Sequence, residues 1–269
     1  MNYRYTLKRH FNFGKSHLDD ILPQDVMRRI DKLSNRPSEQ QHAYVIARTF
    51  FRWALDRNYL TSNPLPARTP RRAVSRDRVL SDEELKSVYT TATEGTDFSS
   101  HIVTLLILTG QRRGETAALQ RPWIDTQERT ITIPTDVAKN HTAHTFPYGD
   151  LVEVALECIP HTHETYLFPV RRNRRKDNPA TVFNGWSKPK IDFDAKLENV
   201  EPWTLHDLRR TFATKHAELG TPIHVTEKLL NHISGSHSGV VAVYQRHTWL
   251  PEMREAVERY DTYLSELVS

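Results

Sequence analysis

The sequence predicts a mainly α-helical chain with one small antiparallel β-sheet, arranged as a helical N-terminal region followed by a larger, mostly helical domain. Three observations carry this expectation. Apolar residues recur at helical spacing through most of the chain. Only RTITIPTDVAKNHTAHTFPY, residues 129–148, alternates clearly with period two. Between the first third and the rest, TSNPLPARTPRRAVSRDR at 61–78 breaks the periodicity with three prolines and five arginines.

The elements follow in order. Residues Leu22 to Leu33 are patterned as a helix. Ser38 and Gln41 predict a capping box that opens a longer helix, with a stripe through Ala43, Ile46, Phe50 and Trp53. The segment 61–78 reads as an extended linker, either crossing a phosphate backbone or serving as a solvated tether. The expected division is a helical region at 1–66, a basic linker at 67–78 and a larger domain at 79–269. Ser81 and Glu84 predict a second capping box before a helix through Leu85 and Val88. The apolar run Ile102–Leu108 predicts a buried helix ending at Gly110. Within 129–148, Ile131 and Ile133 share one face, and a polar turn around Asn140 joins two strands. Helical patterns resume at 151–158, 205–219, 222–231 and 251–267. The last carries a stripe of Met253, Ala256, Val257, Tyr260, Leu264 and Leu267. RRNRRKDN at 171–178 reads as a basic surface loop.

Composition excludes several classes of function. With 269 residues and 38% hydrophobic content, the chain can build a real core, which argues against wholesale disorder. Its longest apolar run falls far short of the roughly 20 residues that span a bilayer, and no apolar stretch follows the basic N-terminal residues as a secretory signal requires. A cytoplasmic protein is expected. The single cysteine, Cys158, allows neither an internal disulfide nor a Cys-based zinc cage. Charge is uneven: residues 1–78 carry 16 Lys+Arg against 7 Asp+Glu, and the remainder 21 against 26. A basic first third suits a polyanion, because it neutralises phosphates and releases counterions. Nucleic acid is the first candidate, an anionic membrane the second, and a solvated face without a partner stays open.

Three motifs in the larger domain carry potential chemistry. TGQRRGE at 109–115 leaves a buried helix through Gly110 and presents Arg112 where its guanidinium can fork onto phosphate oxygens, with Glu115 as a buttress. Taken alone, that segment reads first as a helix cap followed by surface arginines. HDLRRTFAT at 206–214 puts His206 and Arg209 three apart on one helical face, while Leu208 and Phe212 face the core. LLNHISGSHSGVVAVYQRH at 229–247 ends a helix near His232 and later carries Tyr244 after three valines, a setting that by itself suits a core tyrosine. A phenol becomes a nucleophile only beside cations and a base, which Arg112, Arg209, His206 and His232 would supply.

Taken together and in this order, the three motifs resemble the catalytic domain of the tyrosine recombinase (phage integrase) family over residues 79–269. SGSHSGVVAVYQRH followed by an acidic helix is similar to the branch of prophage and genomic-island integrases. The first third resembles the family's core-binding domain more weakly, without a diagnostic motif. The resemblance implies Arg112, Lys139, His206, Arg209, His232 and Tyr244 as the catalytic set. Lys139 is placed on the strand-pair turn as general acid, and Glu115 is a supporting acid. It implies DNA strand exchange through a 3′-phosphotyrosyl link, with neither metal nor other cofactor. The expected partner is double-stranded DNA, bound as a tetramer on paired sites by a protein monomeric when free and associated with the nucleoid. Arg68, Arg71, Arg72 and Arg76 in the linker would contact the DNA. Two departures stand out. Asn231 occupies a position where many members have glycine, a change expected to alter only the helix end, and nothing here corresponds to the branch's N-terminal arm-binding domain. An inert DNA-binding remnant and a type IB topoisomerase-like enzyme are the alternative expectations.

Overall fold

The computed structural model describes residues 3–65, 77–170, 181–232 and 248–269. The chain divides into two compact units, residues 1–77 and 78–269.

In the first unit, helices α1 (Tyr3–His10) and α2 (Pro23–Asp31) pack on the long α3 (Pro37–Asp56). A proline opens both α2 and α3, where its missing N–H costs nothing and its fixed φ suits the first turn. Pro37 also corrects the expected Ser38–Gln41 capping box. The helix starts two residues earlier, with Arg36 at the cap and no side-chain cap bond, so Ser38 already lies inside the first turn. The buried stripe is rotated as well, running through Ala43, Ala47, Phe51 and Ala54, with Ile46 also buried. Small alanines on that face let the other helices approach. Trp53 is 47% exposed and packs its ring 5.5 Å from that of Tyr59. Helix α1, unexpected from the sequence, supplies Leu7 to a core that includes Phe11, Val26 and Ile30.

The second unit is organised around one helix buried on nearly all sides. Helix α4 (Asp82–Glu94) opens with the expected capping box. Glu84 N–H donates to Ser81 Oγ at 3.3 Å, and Ser81 N–H donates to Glu84 Oε2 at 2.9 Å. Helix α5 (Phe98–Thr109) is capped by Asp97 and buries ten of its twelve residues. Around it pack α4, α6 (Arg113–Ala117), α7 (Asp150–Glu157), α8 (Ser187–Asp194) and α9 (Asp207–Glu218). Gly110 ends α5 at φ +62°. An added Cβ there would stand 2.5 Å from the Phe212 ring and 2.8 Å from Leu230, so both conformation and space demand glycine.

The sheet has antiparallel order β1 (Ile124–Asp125), β2 (Thr130–Ile133), β3 (His144–Pro147), with Ile131 opposite Phe146 and Ile133 opposite His144. The β2–β3 pair is the one the alternation predicts. Strand β1, the short pair β4 (Pro169–Val170) and β5 (Thr181–Val182), and helices α6 and α8 have no such signal. Each is eight residues or fewer, too short for a period to register. Helix α10 (Ile223–Leu229) precedes the functional region, and α11 (Leu250–Val268) closes the chain. The apolar stripe of α11 packs into its own unit's core: Met253, Ala256, Val257, Tyr260 and Leu264 are buried, and Leu267 lies against them. Tyr260 Oη donates to Ile107 O at 3.1 Å, and Tyr263 Oη to Asp82 Oδ1 at 2.8 Å. The basic loop expected at 171–178 lies outside the described residues. Among the described residues, no helix is long and apolar enough to cross a membrane.

Two buried histidines make this unit acid-sensitive. His216 in α9 stacks on Tyr260 and shares a hydrogen bond with Thr221; His144 in β3 is equally enclosed. Burial pulls both down to about 4, so between pH 6.5 and 4 the unfolded chain binds protons that the folded chain refuses. Stability therefore falls as pH drops through that window. Burial of Asp261, raised to about 6, offsets part of the loss. A net loss of about 2 kcal/mol between pH 7.5 and 5.5 is expected in urea denaturation followed by tryptophan fluorescence. A midpoint that does not move would contradict it.

Candidate active site

The site is built where the end of α5, the β2–β3 turn, the start of α9 and the end of α10 meet. Past Gly110 the chain turns into α6, with Arg112 as the residue that caps it. The Arg112 guanidinium donates to both oxygens of Glu115, at 3.2 and 3.4 Å, and to Asn231 O at 3.3 Å. Glu115 is only 4% exposed and also accepts the Lys139 N–H at 2.9 Å, so one buried carboxylate fixes both the arginine and the turn between β2 and β3. Ala138, buried beside it, anchors that turn and leaves the Lys139 side chain exposed.

Arg209 reaches the same place from α9. Also 4% exposed, it donates to Gly110 O at 2.8 Å and to Leu230 O. Burial, reinforced by the neighbouring Arg112 charge, pulls it down to about 10, still fully charged at neutral pH. Two guanidiniums held together against their own repulsion make a pre-formed receptor for an anion.

His206 stands at the N-cap of α9 rather than within it, as the sequence pattern had it, because Asp207 is the first helical residue. Arg209 N–H donates to His206 O at 3.0 Å, so the pair still shares a turn. His206 is held below the ordinary imidazole value by burial, then by the Arg210 and Arg209 charges. His232 is lowered by burial and by Arg209 and Arg112. Both rings therefore favour the neutral form at pH 7. Arg112, Glu115, Lys139 and His206, with Gln111 and Arg113, line a cavity of about 460 Å³. Arg113 lies 4.9 Å above the Trp186 ring.

What holds these groups is the end of α10. Its last turn closes with Asn231 N–H on Lys228 O at 3.1 Å and His232 N–H on Glu227 O at 2.9 Å, the two bonds of a helix terminus that requires a left-handed residue between them. Asn231 takes that conformation at φ +49°, a region that asparagine tolerates better than most residues other than glycine. The three carbonyls at and just past the helix end are all claimed by side chains. Leu229 O accepts from Gln111 Nε2 at 2.8 Å and from His144 Nε2 at 3.0 Å. Leu230 O accepts from Arg209, and Asn231 O from Arg112 and from Asn140 Nδ2 at 2.6 Å.

The structure thus gathers Arg112, Lys139, His206, Arg209 and His232 in one region. Tyr244 lies outside the described residues, as do the linker arginines Arg68, Arg71, Arg72 and Arg76. Sequence reasoning missed Gln111, Asn140 and His144. Only His144 left a usable trace, since strand alternation places it on the inward face with Phe146.

Residues 78–248 match the phage integrase family, and the chain belongs to that family, the tyrosine recombinases. It is 24% identical to prophage integrase IntZ of Escherichia coli (strain K12), over 95% of this chain and 63% of that protein. It is 28% identical to tyrosine recombinase XerA of Pyrococcus furiosus, over 71% of this chain and 65% of that protein. The chain therefore spans just under two thirds of the length of these relatives. In fold it is similar to lambda integrase, solved as a tetramer bound to a Holliday junction, with a TM-score of 0.65, 18% identity, and coverage of 90% of this chain and 73% of that one.

The left-handed residue gives a direct test of the local argument. Asn231→Val, β-branched at positive φ, should lower stability by about 1–3 kcal/mol in urea denaturation. Asn231→Gly should change it by less than about 0.5 kcal/mol. Equal losses in the two variants would contradict the assignment.

Proposed function

We propose that the chain is a site-specific DNA recombinase that cuts and rejoins strands through a 3′-phosphotyrosyl intermediate on Tyr244. The observation that carries the reading is the pair of guanidiniums, Arg112 and Arg209, fixed side by side at one helix end beside two neutral imidazoles and the lysine-bearing turn. Family membership supports the reading of Tyr244 as the nucleophile.

The chemistry is a pair of transesterifications. Tyr244 Oη attacks the scissile phosphorus and its proton passes to His206, which is neutral and so able to accept it. The 5′-oxygen departs with a proton from Lys139, leaving the 3′-phosphate esterified to the phenol. Arg112 and Arg209 bind the non-bridging oxygens as their charge rearranges, and His232 hydrogen-bonds the phosphate. Attack by a 5′-hydroxyl from the second duplex reverses the step, restores the phosphodiester and returns the phenol. The energy of the bond is conserved, so no nucleotide is consumed.

Double-stranded DNA is the partner in this reading. The basic first third and Arg68, Arg71, Arg72 and Arg76 would track its backbone and set register, while sequence is read through base contacts and DNA shape. The assembly in this reading is a tetramer on two paired duplexes formed from free monomers; its tetrameric form is supported by lambda integrase, solved as a tetramer bound to a Holliday junction.

A pool of randomised nicked duplexes tests the proposal. The wild-type chain should form SDS-resistant adducts whose sequencing yields the cleavage site, and Tyr244→Phe should form none. Arg112→Ala should lose adducts by a factor of about a hundred or more while retaining DNA binding. Binding without adducts in the wild-type chain would identify an inert binder. Relaxation of supercoils without joining of two sites would identify a topoisomerase.

A further inference from the structure

Arg112 and the β2–β3 turn lean on the same two acceptors. Glu115 receives Arg112 through its guanidinium and Lys139 through its N–H. Asn231 O receives Arg112 Nη2 at 3.3 Å and Asn140 Nδ2 at 2.6 Å. At the base of the hairpin, His144 Nε2 sits 3.0 Å from Leu229 O. A carbonyl only accepts, so this nitrogen carries the proton and donates. The hairpin is therefore fastened at tip and base to residues 229–231, whose middle carbonyl holds Arg209. Helix-end carbonyls of this kind are readily satisfied by water, so three taken by side chains of neighbouring elements is a construction that fixes those elements.

We infer that Asn140 and His144 are positioning residues that clamp the Lys139 hairpin to the Leu229–Asn231 turn, holding the proton donor and the two phosphate-binding guanidiniums as one unit. The inference rests on the assignment of Lys139 as the donor to the leaving 5′-oxygen. Neither residue lines the cavity that Arg112, Lys139 and His206 share. The Lys139 side chain is exposed and long, so its reach toward the leaving oxygen is set by where the backbone of the turn is held. Asn140 is adjacent to it, and among the described residues its bond is the one direct link between the turn and the carbonyl that orients Arg112.

The test compares two nicked duplexes built on the recovered cleavage site, one with the natural 5′-bridging oxygen and one with sulfur in its place. A thiolate leaves without needing a proton, so a defect confined to proton delivery disappears on the sulfur substrate. Asn140→Asp keeps the shape but loses the donor. It should slow adduct formation about ten-fold or more on oxygen and less than about three-fold on sulfur. His144→Leu should behave the same way, whereas His144→Gln, which keeps an N–H donor, should recover most of the rate on oxygen. Equal slowing on both substrates would overturn the inference, because it would mean general damage to the site. Hydrogen exchange of the free protein provides an arm independent of activity. Asn140→Asp should speed exchange at residues 139–141 and 231–232 while α5 is unchanged, and unaltered exchange there would overturn the clamp. If the wild-type chain forms no adduct on either substrate, the recombinase reading falls, and the exchange result still decides the clamp.

Discussion

The larger unit depends on how the end of one short helix is satisfied. Three carbonyls at and just past the end of helix α10 are taken by five side-chain donors from other parts of the chain. The donors include Arg112 and Arg209, both cationic. Placing two positive charges together in a poorly hydrated site is unfavourable. The carbonyl dipoles and the buried Glu115 carboxylate offset that cost and set the orientation of each guanidinium. The same bonds tie the hairpin, the start of α9 and the exit from α5 to a common point. The paired guanidiniums and the local rigidity thus have one origin.

The core explains why that point is stable. Helix α5 is buried nearly all round, and its left-handed end at Gly110 lets the Phe212 ring and Leu230 approach the backbone directly. Phe212 belongs to α9 and Leu230 to the end of α10, so the elements that carry Arg209 and His232 are packed against the residue that precedes the Arg112 loop. Tyr260 of α11 bonds to the α5 backbone at Ile107 from another side. Chemistry at the site is therefore supported by apolar packing that begins one residue away.

Much of this was legible in the sequence, for identifiable reasons. The Ser81–Glu84 box, the apolar run of α5 with its terminal glycine, and the alternation around Ile131 and Ile133 are local signals, and each formed as expected. Among the site residues, Arg112, His206, Arg209 and His232 sit in compact motifs whose spacing is nearly invariant to tertiary detail. The misses have the opposite character. Pro37 displaced the Ser38 cap because a fixed φ at the first position outweighed a side-chain bond. His206 became a cap because helix ends are set by which N–H groups find partners. Gln111, Asn140 and His144 act on carbonyls more than 80 residues distant in the chain, and nothing in their neighbours announces a contact of that range.

In the proposed reaction, side chains from distant stretches surround a single phosphorus atom and the Tyr244 phenol bonds to it. The most direct test is a crystal structure of the chain on a duplex broken at the cleavage site, with orthovanadate in place of the scissile phosphate. Vanadium should bridge Tyr244 Oη and the 5′-oxygen, with its equatorial oxygens on Arg112, Arg209 and His232. Vanadate bound by those residues with Tyr244 held elsewhere, or bound away from the arginine pair altogether, would contradict the proposed reaction.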